Sequence, residues 1–451
     1  MFDPFRHDRR TSPLRPKGCR ALRMAIAATA IAAAPVGARA ETEAIGLDAA
    51  IAGARVHAPA LLAERGRQGA ADADRSAATG ALLPRIQASG TLTWLDDGRI
   101  GALGPVPLYD QEALAILRAR QVLFDWRAFA ARRSAGRSAD AADAAVATAE
   151  AESVFAATAG WVRLAQAEEL EKSTAAALAR ARVFEEMSAA FAGAGRGTKL
   201  DPLRARTARL EAERAALAAL EAVPAVAARL GQVIGRPDAA RLRTDGRWPA
   251  LAAPPASGAA ALERVRRTNP DLARLDALVA AASSSAAGAR ATWLPELAAV
   301  GTYGWRERST PAFGLTPRAD ANAIEWTAGV TAEWTLFEGG AGRASTARAD
   351  ARVAELVAIR SGLALQLEAD VQEALGAWRS AAAGLDAARQ GVAAATEARA
   401  ASAALFAEGR ATSLDVLAAD ADLQRAEGAA TGALGDLVVA RARAVRIGAT
   451  E

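Results

Sequence analysis

The chain has 451 residues, with 55 basic and 51 acidic side chains, but the first 40 residues hold eight of the basic groups and two of the acids. Residues 41–451 therefore carry 47 basic and 49 acidic groups, which excludes the charge excess of non-specific nucleic-acid binding. The only cysteine, Cys19, also lies in the first 40 residues, and His57 is the only histidine beyond them, so disulfide scaffolds, thiolate zinc sites and cysteine nucleophiles are excluded from the remainder.

From the N-terminus, a basic stretch (Arg6 to Arg23) precedes an apolar run, MAIAATAIAAA at 24–34, and then Ala38-Arg39-Ala40. That order predicts a signal peptide over residues 1–40 and a mature chain beginning at Glu41, with Met24 an alternative start. Cys19 precedes the apolar run, so no lipid anchor is expected. No later stretch reaches the roughly 18–20 uncharged apolar residues of a membrane-spanning helix. The exported chain is then either soluble in the periplasm or inserted as a β-barrel.

The rest of the chain reads as one unit written twice. Pro59, Leu61, Pro84, Gly90 and Trp94 recur as Pro270, Leu272, Pro295, Gly301 and Trp305, all at an offset of 211. Leu123-Phe124-Asp125 recurs as Leu336-Phe337-Glu338 at 213, and Gly195-Arg196 with Leu200-Asp201 as Gly409-Arg410 with Leu414-Asp415 at 214. A period of this length is a duplicated half-protein rather than a solenoid repeat. The predicted division is a first repeat at 41–234, a Pro- and Gly-rich linker at 235–258, and a second repeat at 259–451.

Within each half the predicted order is the same. One helix of about 35 residues ends at a proline (41–83; 258–294), and two strand-like stretches follow (84–128; 295–338). Next come a very long helix (about 129–192; about 341–407), a Gly-bearing turn (193–199; 408–412) and a returning helix (200–234; 413–447). The long helices span roughly 95–100 Å at 1.5 Å per residue, which requires a coiled coil or a tube of helices.

The strands alternate with a period of two. Ile86, Ala88, Gly90, Leu92 and Trp94 interleave with polar residues, as do Leu297 to Trp305 and Ile324, Trp326, Ala328, Val330, Ala332, Trp334 and Leu336. This is the pattern of outer-membrane strands, which need about 9–11 tilted residues to cross a bilayer. The stretch 113–124 alternates less cleanly, with Arg118 and Arg120 on the inner side and Ala115, Leu117 and Ala119 outward. Trp94, Tyr303, Trp305, Trp326 and Trp334 are the candidate membrane-interface aromatics. Polar stretches from Asp96 to Pro107 and from Arg306 to Ala323 are predicted loops. Four strands cannot close a barrel, so a membrane reading forces an oligomer.

The duplicated Ala58-Pro59-Ala60-Leu61 and Asn269-Pro270-Asp271-Leu272 segments, Pro84 and Pro295 at the strand starts, and Phe124 and Phe337-Glu338-Gly339-Gly340 at the strand ends form an ordered set. With the Gly-Arg-x-x-x-Leu-Asp turns, that set resembles the TolC-type outer-membrane efflux and secretion channels, in the non-lipidated branch. The resemblance implies a mixed fold: long α-helical coiled-coil hairpins forming a periplasmic tunnel, plus transmembrane β-strands of a shared trimeric barrel. It implies a homotrimeric channel in the outer membrane of a tripartite export system. Its partners would be a periplasmic adaptor and an inner-membrane transporter, ABC-type or proton-driven, serving efflux or type I protein secretion.

The resemblance also implies a gate of two carboxylates one helical turn apart. Asp415 matches the first; the second position is Ala418, and Asp422 stands on nearly the same face as a substitute. A ring of such carboxylates would bind cations. The plainer reading of Asp415, and of its counterpart Asp201, is a helix N-terminal residue favoured by the dipole. Arg196, Gly409 and Arg410 are candidate adaptor contacts at the hairpin tips.

No catalytic residues, cofactor or metal site are expected. The turn Gly193–Lys199 lacks the Gly-Lys-Ser/Thr ending of a phosphate loop and lies between two helices. The rival reading is a periplasmic adaptor protein, which normally has a single hairpin and no full-length duplication. A soluble helical scaffold is the other, and it has no need of two-faced strands.

Overall fold

The computed structural model describes residues 43–94, 111–196, 198–255, 257–310 and 319–450. The signal peptide expected at 1–40 and the loop expected from Asp96 to Pro107 lie outside them.

The chain opens with strand β1 (Glu43–Ile45) and helices α1 (Leu47–His57) and α2 (Pro59–Gly80). The second half opens likewise with α5 (Gly258–Thr268) and α6 (Pro270–Arg290). One continuous helix was expected in each place, and proline divides both. Pro59 and Pro270 lack an N–H and so stand at the first position of a new helix rather than inside an old one. Asn269 completes the break by accepting hydrogen bonds from the backbone N–H groups of Asp271 (3.0 Å) and Leu272 (3.2 Å).

Strands β2 (Arg85–Trp94) and β3 (Gln111–Phe124) follow in the first half. Helices α3 (Trp126–Gly193) and α4 (Leu200–Val233) then form a hairpin. The expected linker contains a 3₁₀ turn and strand β4 (Leu242–Thr244), which pairs in parallel with β1. Two polar ties hold this strand pair, one to α3 and one to the turn after α4. Glu168 accepts from the Thr244 N–H at 2.8 Å, and Arg236 reaches Glu43 at 2.6 Å. The second half repeats the order with β5 (Glu296–Thr310), β6 (Ala319–Glu333), α7 (Ala341–Ala407) and α8 (Ser413–Arg446).

α3 and α7 have 68 and 67 residues, about 100 Å each. α3 packs on α4 and α8, and α7 packs on α8. Nearer the strands the helices lie in the order α2-α3-α6-α7, which is the order β2-β3-β5-β6 of the four-stranded sheet. By length and composition α4 would also cross a membrane, but Val223, Ala227 and Leu230 on it are buried in a core with Trp161 and Leu164.

Three separate cores hold the helices. The first gathers Ile45, Leu61, Trp161, Leu230 and Leu242, with the Trp161 indole N–H donating to the Ile45 carbonyl at 2.9 Å. The second gathers Val265, Leu272, Val371, Trp378 and Ile447. The third is small and lies at the hairpin tips, around Phe184, Ala205, Phe406 and Val416.

Two glycines end the returning helices with positive φ, Gly235 (69°) and Gly448 (84°). A Cβ on Gly235 would lie 2.2 Å from the His57 carbonyl oxygen, whereas on Gly448 it would meet only the Thr268 hydroxyl at 3.1 Å. Both positions cost the left-handed strain of about 1–2 kcal/mol on substitution. Gly235→Ala adds a backbone collision, so its loss of thermal stability should clearly exceed that of Gly448→Ala in melts of the purified protein. Equal losses would mean that the His57 carbonyl moves aside freely.

Candidate functional site

Two regions concentrate unusual chemistry, the sheet and the hairpin tips. The sheet is a single antiparallel layer in the order β2-β3-β5-β6. Its register puts Ala88, Leu117, Tyr303 and Trp326 in one row across all four strands. Above and below them on the same side lie Gly90, Leu92, Ala115, Ala119, Gly301, Trp305, Ile324, Ala328 and Val330. None of the described residues covers this face: Trp326 is 72% exposed and Trp94 and Val330 are each 66% exposed. On β5 it runs from Leu297 to Trp305, about 27 Å along the strand and about 21 Å across a bilayer at a tilt of about 40°, close to the apolar band of about 25 Å.

The opposite face is polar and charged. Arg118 donates to Ser89 at 3.1 Å, and the Thr302 and Thr327 hydroxyls meet at 2.6 Å. Glu112 sits between Arg306 (3.3 Å) and Arg308 (3.0 Å), and Glu296 holds Arg120 and Arg127. Leu114, Ile116 and Val300 interrupt this face, the source of the uneven alternation read over 113–124.

Two expectations for the strands change. Arg306–Thr310 and Ala319–Ala323, read as loop, extend β5 and β6, because Glu112 and Glu325 pair with Arg306 across neighbouring strands. Conversely, β6 stops at Glu333, short of Trp334 and Leu336. Its partner strand starts at Glu296, after Pro295, which has no N–H to give to a ladder. Trp334 instead donates its indole N–H to the Trp293 carbonyl at 2.9 Å. Trp94, Tyr303, Trp305 and Trp326 lie in strands as read.

At the tips, the turns after α3 and α7 share one geometry. Gly195 (φ 72°) and Gly409 (φ 76°) let Arg196 and Arg410 donate their N–H groups to the carbonyls of Phe191 (2.9 Å) and Leu405 (2.8 Å), a Gly-capped helix end. Each of the next helices starts beside a Thr-x-x-Asp pair, which forms a capping box only on α8. Thr412 donates its N–H to Asp415 at 2.7 Å, and Thr198 donates to Asp201 at 2.8 Å. Asp415 is thus a capping residue at an exposed helix start. Hydrogen bonds from the Thr412 hydroxyl and N–H hold its carboxyl below the usual range. Asp422 is exposed on the same side of α8 and pairs with Arg425 at 2.8 Å. Arg410 faces solvent beside Glu408 (3.4 Å). Arg196 is engaged: it donates to the Ala407 carbonyl at 3.3 Å and lies over the Phe191 ring.

The structure adds residues that sequence reasoning missed. Ser413 donates to the second carboxylate oxygen of Asp201 at 2.6 Å, tying one tip to the other. Asp420 lies between Arg180 of α3 (3.3 Å) and Arg399 of α7 (3.1 Å). Asp420 follows buried Ser413, Val416 and Ala419 and precedes buried Leu423. An acid on that apolar stripe signals a cationic partner from another helix.

With this geometry in place, likeness to known proteins becomes decisive. Residues 261–447 match the family model described as outer membrane efflux protein. The outer membrane protein VceC of Vibrio cholerae superposes with a TM-score of 0.72 at 21% identity, covering 89% of this chain and 96% of that one. The CmeC outer membrane channel of Campylobacter jejuni gives 0.76 at 14% identity, covering 89% and 85%. The open MtrE outer membrane channel of Neisseria gonorrhoeae gives 0.70 at 20% identity, covering 89% and 88%. The chain has the TolC-type channel fold. No curated protein sequence matches it. Two hairpins and this near end-to-end likeness leave the adaptor reading unsupported.

In this channel fold the Asp201 link has a definite pH sign. The Ser413 hydroxyl first, then Thr198, hold the Asp201 carboxyl below its ordinary value. A group depressed on folding stabilises fully above its unfolded pKa of about 3.9 and loses that contribution as pH falls through the lowered value. Tip docking should therefore be independent of pH from neutrality down to about pH 4 and weaken below it. Ser413→Ala should raise amide hydrogen exchange in residues 405–416 about fivefold at pH 7, the loss of one half-buried hydrogen bond. An unchanged exchange rate would show that Ser413 contributes nothing to docking.

Proposed function

We propose that this protein is a trimeric outer-membrane efflux channel: a passive pore that takes substrates from an inner-membrane transporter and its periplasmic adaptor to the outside. One observation carries the reading. The sheet is a single layer, apolar on one side and polar on the other, with β2 and β6 unpaired at its edges. Lipid leaves such edges unsatisfied, so the sheet needs closure by other copies. Its edge strands run in opposite directions, so the β6 edge of one copy accepts the β2 edge of the next in antiparallel pairing. Three copies give twelve strands, within the range of outer-membrane barrels. The efflux assignment is supported by the family match over residues 261–447.

The helices continue the same wall. α2 and α7 stand at its open edges as β2 and β6 do. α4 presents exposed Leu203, Leu210 and Leu217 at heptad spacing, the pattern of a helix awaiting a helical neighbour. The tips then form the periplasmic gate, which opens in the manner of an iris as the second hairpin moves against its neighbours. Arg196, Asp201, Ser413 and Asp420 resist that movement within one chain, while Asp415 and Asp422 line the constriction and Arg410 faces the adaptor.

Membrane separation followed by carbonate extraction tests the placement: the chain should stay with the outer membrane, and release or inner-membrane recovery would discard the channel. In planar bilayers, multivalent cations added on the periplasmic side should block the current. Replacing both Asp415→Asn and Asp422→Asn, which removes charge while keeping an acceptor at the Thr412 cap, should weaken block at least tenfold. Unaltered block would remove these carboxylates from the gate.

A further inference from the structure

The sheet has three strand junctions in one chain, and the trimer needs a fourth, between β6 and the β2 of the next copy. The duplication fixes what that junction looks like. Residues of β2 map to β5 at an offset of 211, as Trp94 maps to Trp305. Residues of β3 map to β6 at 213, as Leu123 maps to Leu336. Under these offsets the two hairpins have one register. Ser89↔Ile116 maps to Val300↔Gly329, and Thr91↔Leu114 maps to Thr302↔Thr327; all four pairings are observed. The barrel is therefore a ring of six equivalent hairpins joined by two kinds of junction. One kind, β3–β5, is formed within the chain, with Ala115↔Trp305, Leu117↔Tyr303 and Ala119↔Gly301.

We propose that the seam between copies is the image of that junction. Ala328 then lies opposite Trp94 of the next copy, Val330 opposite its Leu92 and Ala332 opposite its Gly90. On the polar face, Gly329 meets Thr93 and Thr331 meets Thr91. The register keeps Leu92, Trp94, Ala328 and Val330 together on the lipid side, which a slip of one residue would reverse. It also puts Ala328 against Trp94 as Ala115 lies against Trp305.

A second observation supports the seam independently. Across β3–β5, Arg120 is bound to Glu296. The images of these two residues are Glu333 and Arg85, so the same pair recurs at the seam with its signs exchanged. Within one chain neither Arg85 nor Glu333 has an ion-pair partner among the described residues, and both are exposed. The seam supplies each with the other.

This register rests on the trimeric-channel reading, and one set of variants separates the two. In a Cys19→Ser background, four double-cysteine proteins combine Thr91→Cys or Thr93→Cys with Gly329→Cys or Thr331→Cys. Space around Gly329 is open, with nothing within 4 Å of an added Cβ. Directly opposed residues have Cα atoms about 4.5–5.5 Å apart, within disulfide reach, and a displacement of two residues puts them about 7–8 Å apart. After oxidation of isolated outer membranes, Thr91→Cys with Thr331→Cys and Thr93→Cys with Gly329→Cys should run as covalent dimers and trimers on a denaturing gel. The other two combinations should stay largely monomeric. Cross-linking mainly in those other combinations, or in none while the detergent-solubilised mass is trimeric, overturns the register and keeps the trimer. A monomeric mass overturns the trimer itself. Arg85→Glu and Glu333→Arg should each lower the temperature at which the trimer dissociates, and the double exchange should restore it; absence of rescue would remove the ion pair.

Discussion

Every feature of this protein follows from one unsatisfied row of backbone groups. A sheet of four strands has two edges, and the N–H and C=O groups along them need partners. Water would provide them, but one face of this sheet is a continuous apolar surface of Trp, Tyr, Ile, Val, Leu and Ala residues with none of the described residues folded over it. A soluble protein buries such a face against a second layer. Here no second layer exists among the described residues, and the opposite face holds Arg118, Arg120, Glu296 and Glu112 in ion pairs and hydrogen bonds. Lipid outside and water inside is the environment that suits both faces, and a closed barrel is the arrangement that satisfies both edges.

The helices inherit this geometry. Because α2 leads into β2, α3 leaves β3, α6 leads into β5 and α7 leaves β6, the order of the strands dictates the order of the helices beneath them. The two edges of the sheet thus continue downward as two edges of the helical wall. Duplication is the economical way to encode such a wall: one hairpin register, used twice in a chain. Its abundant alanine lets helices about 100 Å long lie close together, and the larger side chains are reserved for three short cores.

Much of this was legible in the sequence, because periodic signals accumulate over long elements. The 68-residue helix α3 and the alternation from Ile324 to Ala332 repeat their message many times. Features that failed to register depend on a single contact between distant residues. The pairing of β1 with β4 rests on three residues each, brought together by Trp161 and Glu168 of α3. The extension of β5 and β6 beyond Arg306 depends on Glu112, nearly 200 residues away. The helix breaks at Pro59 and Pro270 were visible as prolines, yet the reading placed helix ends only at the later prolines, Pro84 and Pro295. At the tips, Asp415 is marked by the Gly-Arg-x-x-x-Leu-Asp turn it shares with Asp201, whereas no motif marks Asp420, which is set between Arg180 and Arg399.

That contrast at the tips bears on how a channel of this build opens. Cores midway along the long helices are large and apolar, each anchored by a fully buried tryptophan, Trp161 or Trp378. The tip core has four buried residues and is supplemented by exposed or half-buried polar links: Ser413 to Asp201, Arg196 to Ala407, and Asp420 to its two arginines. Links of that kind contribute little net free energy because water competes for each partner. Local opening follows the distribution of buried apolar contact, which is smallest at the tips, and this is the physical basis for the tip opening proposed above.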